Sequence, residues 1–106
     1  MNRKSFAIIL VAVLILIAAP AAVAAADGAA IYKARCASCH GPDGGGMTPM
    51  GKSLKLRDLR SSDVQKQTDA ELHTLTADGK GKMPAYKARL SAAEITALVA
   101  HMRTMK

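Results

Sequence analysis

The sequence predicts an all-α fold of three to four short helices, and three observations carry that prediction. No stretch alternates apolar and polar residues for long enough to form a strand. Two capping boxes, Thr68 with Glu71 and Ser91 with Glu94, each open a segment whose apolar residues recur at helical spacing. Two glycine-rich stretches, Gly41 to Gly46 and Gly79 to Pro84, divide the chain into pieces too short for long elements.

The elements follow in order. Asp27 caps a first helix running from Gly28 to about Ser38. Gly41-Pro42-Asp43-Gly44-Gly45-Gly46 ends it in an open loop. Lys52 to Gln67 is mixed, with Leu54, Leu56 and Leu59 set among basic residues and a helical turn starting near Ser61. Thr68 opens a helix through Asp78 that buries Leu72 and Leu75, and Gly79 stops it. Gly79 to Pro84 is a loop, because proline and two glycines work against a continued helix. The last helix runs to about Met105, with Ile95, Leu98, Val99 and Met102 on one stripe. No internal repeat or linker follows Ala26.

Residues 1–26 have a different character. Arg3 and Lys4 make the start basic, every residue from Phe6 to Ala19 is apolar, Pro20 breaks the run, and small residues lead to Ala26. This is the pattern of a secretory signal peptide cleaved after Ala26, with Ala24 and Ala26 read by the peptidase. The alternative is an uncleaved anchor, since Phe6 to Ala26 is uncharged and just long enough to span a bilayer. Pro20 and the small-residue end favour cleavage. Both readings put residues 27–106, a single domain, outside the cytoplasm. The net charge of +7 includes Arg3 and Lys4, which leave with the leader.

Without the leader the chain has no Trp or Phe, and Tyr32 and Tyr86 are its only aromatics. So small a domain needs a staple or a bound group to complete its core. A disulfide between Cys36 and Cys39 would close a trivial loop. A large, flat, apolar cofactor would supply the missing volume.

Cys36-Ala37-Ser38-Cys39-His40 specifies that cofactor, because C-x-x-C-H is a c-type haem attachment sequence. Residues i and i+3 share one helix face, so both thiols reach the two vinyl groups on one porphyrin edge, and His40 brings its imidazole to the iron. A thioredoxin-like dithiol wants a βαβ context that is missing here. A structural zinc site wants four ligands, and His73 and His101 sit at no finger spacing. The second axial ligand comes from Met47, Met50, Met83, Met102 or Met105. Met102 and Met105 lie in the last helix, where methionine more often packs. Met47 and Met50 are too near His40 in sequence to reach the opposite haem face without a tight wrap. Met83, on the rigid loop between Gly81 and Pro84, is the choice, and a His/Met pair makes an electron-carrying haem.

On these residues, on Gly79-Lys80-Gly81-Lys82-Met83-Pro84-Ala85-Tyr86 and on Leu90-Ser91-Ala92-Ala93-Glu94-Ile95, the chain resembles the class I monohaem cytochromes c, most of all the bacterial ones akin to cytochrome c6. The resemblance covers residues 27–106. It implies the small cytochrome c fold, wrapped around one covalent haem c, with the first and last helices crossing. It implies thioethers at Cys36 and Cys39, with His40 proximal and Met83 distal. It also implies a proline carbonyl that accepts the Nδ1–H of His40, Pro49 being the first match and Pro42 the second. In the helix crossing, Gly28, Tyr32 and Leu98 match the family, while His101 stands where an aromatic is usual and is expected to pack. His73 is expected to be solvated.

Lys52, Lys55, Arg57 and Arg60 form one basic stretch, and Lys80, Lys82, Lys87 and Arg89 flank the Met83 loop. Such a rim would steer the protein toward redox partners with acidic docking surfaces. The export signal and haem motif speak against nucleic acid. The eight acidic residues are scattered, mostly over caps and turns, and no catalytic acid, base or nucleophile set is visible. The sequence therefore predicts a monomeric periplasmic one-electron carrier, not an enzyme, that meets the membrane only if residues 1–26 stay uncleaved. The alternatives are a membrane-anchored or complex-associated haem subunit, and a haem sensor or enzyme with an open distal position.

Overall fold

The first and last helices touch backbone to backbone, and the remaining elements close around that crossing. A computed structural model describes residues 26–106. The signal-peptide and anchor readings of residues 1–26 lie outside the described residues, Ala26 excepted. Among the described residues, no helix is long and apolar enough to cross a membrane.

Six helical segments are present: α1 (Gly28–Arg35), α2 (Ala37–His40), α3 (Pro49–Leu54), α4 (Ser62–Gln65), α5 (Asp69–Asp78) and α6 (Ala92–Arg103). The only β pairing among the described residues is an isolated bridge between Lys80 and Met83. The fold is all-α, as expected, but the count exceeds three to four for two reasons. The expected first helix is divided at Cys36, whose φ of −117° departs from helical geometry. The segment α3 was not expected at all. Its signals are local: the Thr48 hydroxyl accepts from Gly51 N–H at 2.9 Å, and Pro49 takes the first helical position, where its missing N–H is harmless.

The other caps match their sequence signals. Asp27 accepts from Ala30 N–H at 3.1 Å, and Ser61 caps the turn α4. At Ser91 both halves of the capping box form, the hydroxyl accepting from Glu94 N–H at 3.1 Å and the Glu94 carboxylate from Ser91 N–H at 2.9 Å. At Thr68 only the hydroxyl half is present.

The core comprises Tyr32, Val64, Leu72, Tyr86, Leu90, Ile95, Leu98, Val99, Met102 and Met105. Leu75, expected inside, is half-buried. Gly28 is buried where α1 crosses α6, and a Cβ there would overlap the carbonyl group of Ala97 and lie 3.2 Å from His101 Cβ. One turn on, the Tyr32 and His101 rings pack with centroids 5.3 Å apart. His101 thus fills the place of an aromatic, as a packing residue. His73 is not simply solvated: it is half-buried, and its Nε2 lies 3.1 Å from the Ala92 carbonyl, joining α5 to the start of α6. Arg103 ties the far end of α6 down, with its guanidinium on the Asp69 carboxylate (2.9 Å) and on the carbonyls of Gln65 (2.6 Å) and Gln67.

Gly28→Ala should destabilise the holoprotein by about 1–3 kcal/mol, because the added methyl forces two helix backbones apart. A urea unfolding midpoint equal to that of the wild type would show that the crossing can relax.

Candidate haem-binding site

Backbone hydrogen bonds place the attachment motif before any cofactor is considered. Cys36 N–H donates to the Tyr32 carbonyl at 2.8 Å, so the first thiol follows directly from α1. His40 N–H donates to the Cys36 carbonyl at 2.9 Å, which completes the single turn of α2. Gly41, at φ +83°, then releases the chain. The loop folds back, with Gly46 N–H on the His40 carbonyl at 2.7 Å and the Thr48 hydroxyl on the Cys39 carbonyl at 2.6 Å. Gly51 of α3 packs so closely that a Cβ would lie 2.6 Å from the Cys39 carbonyl oxygen.

The two tyrosines complete the frame. Tyr86 donates its hydroxyl to the Arg35 carbonyl at 3.2 Å, just before Cys36. Tyr32 donates to the Gly41 carbonyl at 2.7 Å, just after His40. Sequence reasoning treated both as scarce core aromatics and missed this second role. It also missed the Thr48 tether, which the Thr-Pro pair opening α3 signals.

The motif faces a cavity of about 440 Å³, within the range of small-molecule and cofactor sites. Cys36, Cys39 and His40 line it with Met83, while α5 and α6 supply Leu72, Leu75, Leu98, Val99 and Met102. Both cysteines are free, and burial, with Cys39 next in effect, pushes the Cys36 thiol up to about 11. Burial lowers the His40 pKa, favouring the neutral imidazole that binds metals. An apolar cavity with two unpaired thiols at i, i+3 and a neutral imidazole beside them fits a covalently attached haem.

His40 Nδ1 is buried without a hydrogen-bond partner among the described residues. The pairing with the Pro49 carbonyl expected from the sequence is therefore not formed, nor is the one with Pro42. Pro49 is the first residue of α3, and its carbonyl points along its own helix. What holds the motif from this side is the Thr48 hydroxyl, acting on the backbone of Cys39.

The methionines separate by position. Met83 is half-buried and lines the cavity with His40. Its N–H donates to the Lys80 carbonyl at 2.9 Å, and Lys80 N–H returns the bond at 3.1 Å, around a turn with Gly81 at φ +57°. Gly79 lets this turn fold back, since a Cβ there would lie 2.6 Å from the Met83 carbonyl oxygen. Met47 and Met50 are 69% and 51% exposed and do not line the cavity. Met102 lines it from α6, whereas Met105 is buried with its sulfur against Gly44.

Known proteins fit this geometry. A family model described as cytochrome c oxidase, cbb3-type, subunit III matches residues 23–102. Cytochrome c6 of Leptolyngbya boryana is 36% identical over 78 residues, covering 74% of this chain and 88% of that protein. Cytochrome c6 of Microcystis aeruginosa is 40% identical over 72 residues, covering 68% and 85%. The solved c-type cytochrome KustC0563 superposes with a TM-score of 0.70 at 32% identity, over 76% of this chain and 98% of that one.

Tyr32→Phe should lower stability by about 1 kcal/mol, since the Gly41 carbonyl keeps a second donor in Gly44 N–H at 3.1 Å. The variant should also change the alkaline limb of stability. Burial pushes the Tyr32 hydroxyl up to about 12, from 10.0 in an unfolded chain. The unfolded chain thus loses this proton first, and the stabilisation is present below pH 10.0 and lost as pH rises toward about 12. Denaturant unfolding across that window should fall less steeply in the variant, and equal slopes would contradict the assignment.

Proposed function

The chain belongs to the monohaem class I c-type cytochromes, similar to cytochrome c6, and on that premise we propose that it is a periplasmic one-electron carrier with thioether attachment at Cys36 and Cys39 and axial ligation by His40 and Met83. It is an electron-transfer protein with one covalently bound haem c and works with redox partners; it is not an enzyme. When bound, the haem supplies an iron that exchanges a single electron between Fe(II) and Fe(III).

One observation supports the ligand set: His40, Met83 and both thiols line a single cavity, while Met47 and Met50 lie exposed outside it and Met102, which also lines it, is packed into the core on α6. The chain's own groups then divide the work. Cys36 and Cys39 supply the two thiols for attachment from a turn whose backbone is held at both ends. His40, kept neutral by burial, offers a lone pair to the iron. Met83 offers a thioether, which favours the reduced state and raises the potential. The apolar residues of α5 and α6 keep water from the ring. The exposed Lys80 and Lys82, beside the Met83 loop, give a cationic approach for partners with acidic docking surfaces. Residues 1–26 act as the export signal, and the released domain works as a monomer.

A second reading, a haem subunit of a larger complex, is favoured by the oxidase-subunit description of the matching family model. The mass of the purified protein separates the two. A soluble species of residues 27–106 plus one haem supports the free carrier, and retention of residues 1–26 in the membrane fraction supports the subunit.

Met83→Ala should abolish the far-red absorption band of ferric Met–His haem and open the iron to carbon monoxide, with pyridine haemochrome still reporting one haem per chain. A wild type that lacks the band, or that binds carbon monoxide rapidly when reduced, would exclude Met83 as a ligand and favour an open distal position.

A further inference from the structure

The loop that leaves His40 has little shape of its own. Four of the six residues from Gly41 to Gly46 are glycine, and Gly41, Gly44 and Gly46 all take positive φ. Glycine loses more conformational freedom on folding than any other residue, so contacts from outside must hold such a loop. The loop in turn holds His40: Gly46 N–H donates to the His40 carbonyl at 2.7 Å. No protein group among the described residues bonds His40 Nδ1, so the direction of the ring depends on the backbone to either side.

Arg60 supplies the outside hold. Among the described residues it is the one cation that joins two carboxylates. Its Nε and Nη2 donate to the two Asp58 oxygens at 2.9 and 3.0 Å, and its backbone N–H donates to Asp58 Oδ1 at 2.9 Å. Hydrogen bonding from Arg60 keeps the Asp58 carboxyl below its usual range. The remaining nitrogen, Nη1, donates to Asp43 Oδ2 at 3.2 Å. Asp43 is a loop residue, and its Oδ1 accepts from Gly45 N–H at 2.9 Å. A Cβ on Gly45 would lie 2.9 Å from Arg60 Nη2, so the guanidinium rests against the loop backbone.

Two further contacts seat the same loop. Leu59 N–H donates to the Gly44 carbonyl at 2.8 Å, beside the clasp. A Cβ on Gly44 would lie 2.6 Å from the Met105 sulfur and 3.2 Å from Leu59 Cβ. The glycine loop is therefore closed between the turn at residues 58–60 and the C-terminal tail. Only the Arg60 clasp joins it to a side chain that three separate acceptor oxygens fix in direction.

We propose that Arg60 is a positioning residue for the His40 imidazole, acting through Asp43 and the glycine loop. The inference rests on His40 as an iron ligand. A lysine would keep the charge but not the fork, because three nitrogens of one planar group are in use at once.

The test compares holoprotein of the wild type with Arg60→Gln, Arg60→Lys, Asp43→Asn and the Arg60→Gln/Asp43→Asn double variant. Asparagine at 43 keeps an oxygen for Gly45 N–H and loses only the ion pair. Two readouts are taken. Amide exchange at Gly46 should rise about fivefold in each variant, the factor that matches loss of a well-formed surface pair, while exchange at Leu98 in the core stays unchanged. In the ferric state, the spread of the haem methyl proton resonances reports how the axial ligands are oriented. It should shift in the same direction in all four variants, with the far-red Met83 band retained. The double variant should match either single one, since one clasp breaks only once.

A field effect of the charges predicts otherwise: opposite shifts for Arg60→Gln and Asp43→Asn, and none for Arg60→Lys. That pattern overturns the proposal. So does an unchanged Gly46 exchange or methyl spread in Arg60→Gln, or an equal rise at Leu98, which would mark a general loss of stability. A wild type without imidazole on its iron overturns the ligand reading as well, so the two failures are distinct.

Discussion

The constraint on which the structure depends is that its core and its cofactor site are one surface. Tyr32, Val64, Leu72, Tyr86, Leu98, Val99 and Met102 all belong to the buried core, and all line the cavity. Each presents one side to another side chain and the other to the space beside the attachment motif. An unfilled cavity of this kind forfeits contacts on that side, at about 24 cal/mol per Å³ in measured cases. The described residues, with Tyr32 and Tyr86 as their two aromatics, leave it unfilled by their own side chains. Attaching the haem and completing the fold are therefore the same physical event.

That coupling explains how much polar hardware surrounds five residues. The motif cannot rely on a long helix, because Cys36 interrupts the one it starts from. Its position is fixed by outside groups instead: the Tyr86 hydroxyl before it, the Tyr32 hydroxyl after it and the Thr48 hydroxyl in its middle. Each bonds a backbone carbonyl, leaving thiols and imidazole free for chemistry. Phenylalanine would pack equally well at the two tyrosine positions but would leave the frame without two of its three hydroxyls. Gly51 serves the same end, since its missing side chain lets α3 press against α2.

Much of this was legible in the sequence where the cause is local. Asp27, Thr68 and Ser91 marked helix starts correctly because a cap depends on three or four neighbouring residues. Gly28, Tyr32 and Leu98 marked the helix crossing, and His101 was rightly read as packing. The errors come from non-local causes. The break at Cys36 leaves no trace in the spacing of apolar residues, since the residues on either side remain helical. The segment α3 has no apolar stripe of its own and is stabilised by the neighbouring motif; only its Thr-Pro start betrays it. The Pro49 carbonyl does not meet His40 Nδ1 here, because a proline can be placed by its ring or by its carbonyl, and the ring opens α3. His73 was misjudged because its partner, the Ala92 carbonyl, lies nineteen residues away.

The same geometry gives a physical reason for electron transfer without proton transfer. The cavity is lined by no carboxylate among the described residues, and the hydroxyls of its two tyrosines are pushed up by burial. Desolvation thus disfavours the charged form of both. An acid or base catalyst needs a group poised to change protonation near its working pH. Burial has moved these candidates away from that condition, and the permanent charges sit at the exposed rim, where they act on a partner at a distance. Burial inside and charge outside therefore separate holding an electron from choosing who receives it.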